Sequence, residues 1–282
     1  MGTGGHSLSI CKKLSSKGHL ICLDRDPEAV KLSSKRLALQ TIRVDVIQAN
    51  YADLDIILKE KNIPKVDGVF LDLGMSTFQL ENSGRGFSFK ADEPLDMRMN
   101  PYDRKTAFDL VNKKSQEKIA WILKNYGEEK KAKLIAGSIA QARKKQPIKT
   151  SLQLANIIAE VIPNTYSSRK RHPATKSFQA LRIAVNQELN NFQTFLSKIP
   201  LLMAQEGRVV ILSYHSLEDR FGKKAMATWE RPCTCPPDFP RCVCGKRPLF
   251  KRLLKKGIKA ENIEIAENPK ARSAILRAAE RI

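Results

Sequence analysis

Acidic residues that directly follow short apolar runs are the positions of this sequence best suited to chemistry. Asp72 ends the apolar run Val69–Leu71 and is followed by a glycine, Gly74. A run of this kind predicts a buried parallel strand. Open α/β sheets bind their ligands at the carboxyl ends of such strands. The loop that starts at Asp72 is therefore the first candidate for a working site.

This loop, which extends to Met99, mixes polar residues and glycines with large apolar side chains. It is too polar and too rich in glycine to be predicted as core, so we expect its apolar groups to hold a flat, polar ligand. The side chains in question are Phe78, Phe87, Phe89, Met97 and Met99, beside the charged residues Arg85, Asp96 and Arg98.

A second candidate site lies at the start of the chain. Three glycines in Gly2–Gly5 precede the first predicted helix, as in turns where the backbone approaches a ligand closely. Asp24 ends the predicted strand His19–Asp24. It follows the glycine turn by ~20 residues, the spacing expected for a ribose-binding acid. Asp26, just before Pro27, is predicted to cap the next helix. The pattern favours nucleoside binding, with an ordinary glycine turn as the alternative.

Such a glycine loop normally follows a strand, and no residue precedes Met1 here. Three explanations remain open: the chain is a fragment, its start was set late, or its sheet lacks the central strand.

The elements that must position these residues alternate between strand and helix. Further strands are predicted at Arg43–Ile47 and Val66–Leu71, with a helix at Asp53–Glu60 between them. This order predicts an α/β fold with a parallel, doubly wound, Rossmann-like sheet. Residues 101–197 show helical periodicity without clear strands, so we predict a helical subdomain (101–197) inserted into an α/β domain (1–100 and 198–282).

Composition points to a polyanionic partner. The 282 residues include 50 Lys and Arg against 29 Asp and Glu, a formal net charge of +21. A surplus of this size favours RNA or DNA over a membrane surface, since no apolar run reaches ~18 residues. No signal peptide is predicted, and six cysteines without a secretory signal suggest a reducing compartment, so cytoplasm is expected.

Two basic segments are candidates for nucleic-acid contact. Thr165–Arg182 combines basic residues with Tyr166, and Lys246–Lys259 holds seven basic residues and no acids. A solvated charged face is the ordinary explanation for such runs, but RNA contact is favoured here.

The carboxyl-terminal third adds a histidine and a cysteine cluster. His215 follows the predicted strand Gly207–Tyr214, where a structural, hydrogen-bonded role and a catalytic role are both open. Two Cys-x-Cys pairs, separated by six residues, could surround a structural zinc ion or remain reduced thiols in a proline-rich loop. The metal content is unknown from the sequence. The four residues are Cys233, Cys235, Cys242 and Cys244.

Several long, irregular motifs resemble one family, the bacterial 16S ribosomal RNA cytosine-N4 methyltransferases (RsmH/MraW). The motifs are GGH at 4–6, LDRDP at 23–27, FLDLGMST at 70–77, RGFSF at 85–89, PLDMRM at 94–99, YGEEKKAKLIA at 126–136, HPATKSFQALRIAVNQEL at 172–189, SYHSLEDR at 213–220 and AENPKARSAILR at 266–277. The family's Asp-x-Thr-x-Gly segment before the glycines is missing from the sequence.

The resemblance implies a class I methyltransferase that uses S-adenosyl-L-methionine to methylate a cytidine in the decoding region of 16S rRNA, within the small ribosomal subunit. By motif match, the implied cofactor contacts are Gly4, Gly5, His6, Asp24, Tyr51, Asp72 and Gln79. The catalytic candidates are Ser76, Asp96 and His215.

Two other functions compete with this one. A nicotinamide-dependent oxidoreductase would share the glycine turn and Asp24, but would need neither the +21 charge nor the helical insert. A non-catalytic, ribosome-binding assembly factor is expected if the missing first strand disables the cofactor site.

Overall fold

The computed structural model describes residues 1–162, 172–236 and 239–282. The basic tract around Tyr166 and Arg169–Arg171 lies outside the described residues. In chain order, the elements are α1 (Gly5–Cys11), β1 (His19–Asp24), α2 (Pro27–Leu37), β2 (Arg43–Gln48), α3 (Leu54–Glu60), β3 (Val66–Asp72), α4 (Thr77–Asn82), α5 (Ala107–Lys113), α6 (Gln116–Gly127), α7 (Ala132–Lys145), α8 (Ser151–Val161), α9 (Thr175–Asn186), α10 (Glu188–Leu202), β4 (Met203–Ser213), α11 (Ser216–Glu230), β5 (Phe250–Arg252), β6 (Ile258–Lys259), α12 (Asn262–Glu267) and β7 (Ile275–Arg281).

The chain divides into two compact units. Unit 1 comprises Met1–Ala49 and Met75–Glu188, and unit 2 comprises Asn50–Gly74 and Leu189–Ile282. The boundaries predicted for an inserted subdomain, 101–197, remain a prediction. No helix in the described ranges is both long and apolar enough to cross a membrane.

Unit 1 begins with a parallel strand pair. β1 and β2 pair in parallel, with His19 opposite Arg43 and Asp24 opposite Gln48. Cys11 and Cys22, each 5% exposed, share a small apolar cluster. Both thiols therefore belong to the core of unit 1. The cluster also contains Leu37 and Ile42.

The rest of unit 1 is helical, and its core includes part of the loop that was expected to bind ligand. Helices α5 to α9 supply most of this core, but Phe87, Met97 and Met99 also belong to it. Met97 is fully buried and Phe87 is 5% exposed. The expectation that these three side chains line a ligand site is therefore wrong. A hydrogen bond from α9 holds this loop in place, since Asn186 Nδ2 donates to the Met97 carbonyl at 2.7 Å.

Unit 2 contains a five-stranded mixed sheet. β3 pairs in parallel with β4, as predicted for alternating strands and helices. β4 also pairs with β7, but in the antiparallel sense, and β5 and β6 both pair with β7. The last strand, β7, runs over Ile275–Arg281. The fold is α/β, as predicted, with parallel pairs and an antiparallel carboxyl-terminal strand.

Candidate functional site

The glycine turn of unit 1 lies against the carboxyl end of β1. The backbone N–H of Gly2 donates to Asp24 Oδ2 at 2.8 Å, and the N–H of Asp26 donates to Oδ1 at 3.0 Å. Gly4 has φ +82°, a left-handed conformation that favours glycine. A Cβ built on Gly5 would meet no atom within 4 Å, so the start of α1 has space beside its backbone. The predicted association of this turn with Asp24 is therefore observed, and His6 is exposed one residue later.

Asp26 is a buried carboxylate of unit 1 that accepts several hydrogen bonds. Its side chain is fully buried and caps α2 by accepting the Glu28 N–H at 3.1 Å, which confirms the predicted cap. Its other oxygen, Oδ2, accepts from Arg85 at 2.5 Å and from Gln79 Nε2 at 2.8 Å. A buried carboxylate needs such partners because desolvation of an unpaired charge is costly. No local sequence pattern predicts that Arg85 pairs with Asp26, which lies 59 residues earlier in the chain.

Ser76 and Gln79 form a capping box at the start of α4. Ser76 Oγ accepts the Gln79 N–H at 3.2 Å, and the Gln79 side chain accepts the Ser76 N–H at 2.9 Å. Gln79 is only 4% exposed. A Cβ built on Gly2 would lie 3.3 Å from Ser76 Cβ, so Ser76 is beside the glycine turn. The structure thus groups Gly4, Asp24, Ser76 and Gln79, four of the residues predicted from the sequence.

Asp96 is held by the arginine two residues after it. It accepts from the Arg98 N–H at 2.9 Å, from Nε at 2.8 Å and from Nη2 at 2.7 Å. The hydrogen bond to Asp96 raises the pKa of Arg98, so the guanidinium is charged at neutral pH. Met97, between them, has φ +59°. A bulky residue seldom adopts this conformation, and such strain is concentrated in ligand-binding segments.

In unit 2, Asp72 lies at the end of β3 and is bonded to a tyrosine that the sequence reasoning missed. Tyr214 Oη donates to Asp72 Oδ1 at 2.9 Å. Burial, followed by the charge of Asp72, raises the pKa of Tyr214, so the phenol stays protonated and remains a donor. Parallel pairing of the two strands would have predicted this contact, because Asp72 lies opposite Leu212 and Tyr214 follows Leu212 by two residues.

Tyr51 opens a short 3-10 turn, Tyr51–Asp53, that Asn50 caps. Its ring meets the edge of Phe195 at a centroid distance of 5.5 Å and an angle of 90°. The ring is half-buried, so one part of it packs on the core of unit 2. This packing holds the ring of Tyr51, which comes three residues after the end of β2 in the chain.

His215 caps α11. Its Nδ1 accepts the Glu218 N–H at 3.4 Å, while the Glu218 side chain accepts the Tyr214 N–H at 2.9 Å. Glu218 is 2% exposed. Of the two roles that the sequence left open for His215, the structural one is observed, and a catalytic role stays a prediction.

Comparison with known proteins agrees with the motifs. The family model described as the MraW methylase family matches residues 1–282. A protein of Geobacter sulfurreducens named ribosomal RNA small subunit methyltransferase H is 45% identical over 282 residues, covering 100% of this chain and 91% of that protein. Proteins of the same name from Desulfosudis oleivorans and Clostridium botulinum are 43% and 44% identical, each covering 100% of this chain and 91% of their own length. The resemblance inferred from the motifs is confirmed, and the chain belongs to the MraW methylase family.

Proposed function

We propose that this chain transfers a methyl group from S-adenosyl-L-methionine to the N4 amine of a cytidine in the decoding region of 16S rRNA. The relatives that match its whole length are named as small-subunit rRNA methyltransferases, which supports the substrate. The observation that carries the proposal is the glycine turn hydrogen-bonded to Asp24 at the end of β1.

The residues present fit such a cofactor. A carboxylate oxygen has two lone pairs, so Asp24 can accept from ribose hydroxyls in addition to the backbone N–H groups that it already binds. Tyr51 offers an aromatic face for the adenine. Asp72, oriented by Tyr214, offers negative charge for the cationic part of the ligand. When bound, S-adenosylmethionine supplies a methyl group on a positively charged sulfur. By motif match, Gly4, Gly5, His6 and Gln79 are also proposed as cofactor contacts.

The nucleophile requires acceptor groups from the protein. The lone pair of the cytosine N4 amine is delocalised into the ring, so acceptors aimed at its N–H groups would localise the pair and stabilise developing positive charge. We assign this role to Asp96, whose orientation Arg98 fixes, and to Ser76 beside the glycine turn. His215 is proposed to position the base. Positioning of the amine by these residues would supply the orientational part of the catalysis.

The charge of the chain supports an RNA partner in the small ribosomal subunit. A surplus of +21 favours contacts to many phosphates, each of which releases counterions. A substrate of this kind implies action in the cytoplasm, where ribosomes are assembled. Methyl incorporation into small subunits or their RNA, followed with a labelled donor, tests the activity. Tight subunit binding without incorporation would contradict the catalytic proposal.

Calorimetric titration with S-adenosylhomocysteine tests the cofactor site separately. The Asp72→Ala variant should lose measurable binding, because it removes the proposed charge partner. Asp67→Ala is the matched control, since Asp67 lies on the same strand but is exposed. Near-normal binding by Asp72→Ala, with the fold intact by circular dichroism, would remove Asp72 from the site.

A further inference from the structure

A cluster of four thiols lies between α11 and β5. The Sγ atoms of Cys233 and Cys242 are 3.4 Å apart, as are those of Cys242 and Cys244. The Cys244–Cys233 and Cys235–Cys242 separations are 3.8 Å and 3.9 Å. All four sulfur atoms lie within 4.8 Å of one another.

These separations match the shell of a single tetrahedral ion. A zinc–sulfur bond of ~2.3 Å gives sulfur–sulfur edges of roughly 3.8 Å in a tetrahedron. A disulfide requires a sulfur–sulfur bond of about 2.05 Å, far shorter than any separation in the cluster. The two Cys-x-Cys pairs therefore converge from opposite ends of their loop onto one point.

A backbone donor contacts one of the sulfur atoms, and the same loop carries several basic residues. The Val243 N–H donates to Cys235 Sγ at 3.4 Å. Such N–H···S contacts stabilise thiolates in metal sites. Four thiolates around a divalent ion leave a net charge of −2, which the basic side chains of the same loop offset. These side chains are Arg231, Arg241, Lys246 and Arg247.

The loop that carries the cysteines lacks another source of internal stability. In its described part, residues 231–249 form no helix or strand, and Val243 is 73% exposed. Its ends are anchored, because the Leu249 N–H donates to the Trp229 carbonyl at 2.9 Å and the Trp229 and Phe250 rings lie 4.9 Å apart. Between these anchors, burial of apolar surface is too small to offset the entropy of ordering, whereas a metal ion can do so.

We propose that Cys233, Cys235, Cys242 and Cys244 bind one structural Zn²⁺ ion as thiolates. Binding exchanges four thiol protons, released to solvent, for four zinc–sulfur bonds, with no change of oxidation state. No coordination position remains for substrate, so the ion shapes the loop and takes no part in chemistry. The basic residues of the loop are thereby held in one arrangement. This proposal does not depend on the identity of the methylated substrate.

Metal analysis of the full chain, purified in reductant, tests the proposal. The wild-type chain should hold about one zinc ion per chain, and Cys233→Ser/Cys244→Ser should hold less than about a tenth of that. Cys11→Ala/Cys22→Ala is the matched control, because it also removes two thiols but from the core of unit 1, and it should retain full zinc content. Equal zinc in wild type and Cys233→Ser/Cys244→Ser would overturn the proposal, as would stoichiometric iron.

Cobalt substitution tests the same site in protein that has lost its zinc during purification. Apo protein titrated with Co²⁺ should develop the thiolate charge-transfer and tetrahedral d–d absorption bands, saturating at about one ion per chain. Cys233→Ser/Cys244→Ser should show neither band, while its helical circular dichroism stays unchanged, since the cluster lies outside the helices. Chelation should also speed tryptic cleavage after Arg241 or Lys246 by about 10-fold or more. A wild-type chain that binds neither zinc nor cobalt would refute the site.

Discussion

Replacement of Asp26 by Asn should be among the most damaging single-atom changes available in unit 1. Asp26 is fully buried, and its Oδ2 accepts from both Arg85 and Gln79 Nε2. Asparagine cannot satisfy both donors and the Glu28 N–H at once, because it has one carbonyl oxygen and an amide that donates. Either orientation of the amide therefore places a donor against a donor, or leaves the α2 cap unmade.

The size of the effect follows from burial. Removing one partner of a buried ion pair costs about 3–5 kcal/mol, because the remaining charge is left uncompensated. For a chain of this size, that corresponds to a fall of roughly 6–20 °C in the midpoint of thermal unfolding. The double variant Asp26→Asn/Arg85→Met should be less damaging than the sum of its two single variants, by about 1–3 kcal/mol.

Glu28→Gln provides an internal control. Glu28 contacts the same Arg85 nitrogen at 3.1 Å, but its side chain is 54% exposed. An exposed pair contributes about 0–1 kcal/mol, so this variant should unfold close to the wild-type temperature. Thermal unfolding followed by circular dichroism at constant pH and salt compares the variants. A loss below about 1 kcal/mol for Asp26→Asn, or an equal loss for Glu28→Gln, would refute the reasoning from burial.

Three further predictions concern other parts of the chain. Tyr214→Phe removes the hydrogen bond to Asp72 and should weaken S-adenosylhomocysteine binding about 10-fold, measured by calorimetry; an unchanged Kd would contradict it. Gly86→Ala should lower the free energy of unfolding by more than about 2 kcal/mol, because Gly86 has φ +69° and the new Cβ would lie 2.3 Å from a backbone oxygen. Gly84→Ala should lower it by only about 1 kcal/mol, because Gly84 has a similar φ of +65° but no atom within 4 Å of the new Cβ. Equal losses for the two variants would contradict the clash. A hydrogen bond from the lysine one turn later is the largest cause that lowers the pKa of Asp109 to about 2. The ionised Asp109 side chain should therefore contribute about 1 kcal/mol to the free energy of unfolding above pH ~4, and this contribution should vanish as the pH falls towards ~2. The stabilities of wild type and Asp109→Asn should converge in acid, and a stability difference that does not change with pH would contradict the prediction.

Local patterns were sufficient for several features of this protein. The run before Asp24, the glycines before α1 and the Asp26-Pro27 cap were all predicted, because each depends on residues close together in the chain. The helical character of the described part of residues 101–197 followed from periodicity in the same way. Family membership followed from long motifs, whose irregularity makes coincidence a poor explanation.

Tertiary structure alone decided which polar groups meet and which apolar groups are buried. Arg85 reaches Asp26 across 59 residues, and Tyr214 reaches Asp72 across 142, separations over which no local pattern carries information. Met97 and Phe87 were expected beside a ligand because a glycine-rich, polar loop seldom supplies core. The loop folds onto helices α5 to α9 instead, and the free energy of burying these large side chains fixed their place. Apolar residues in a loop have the same composition whether they cover a ligand or a core, so only the path of the chain could distinguish the two.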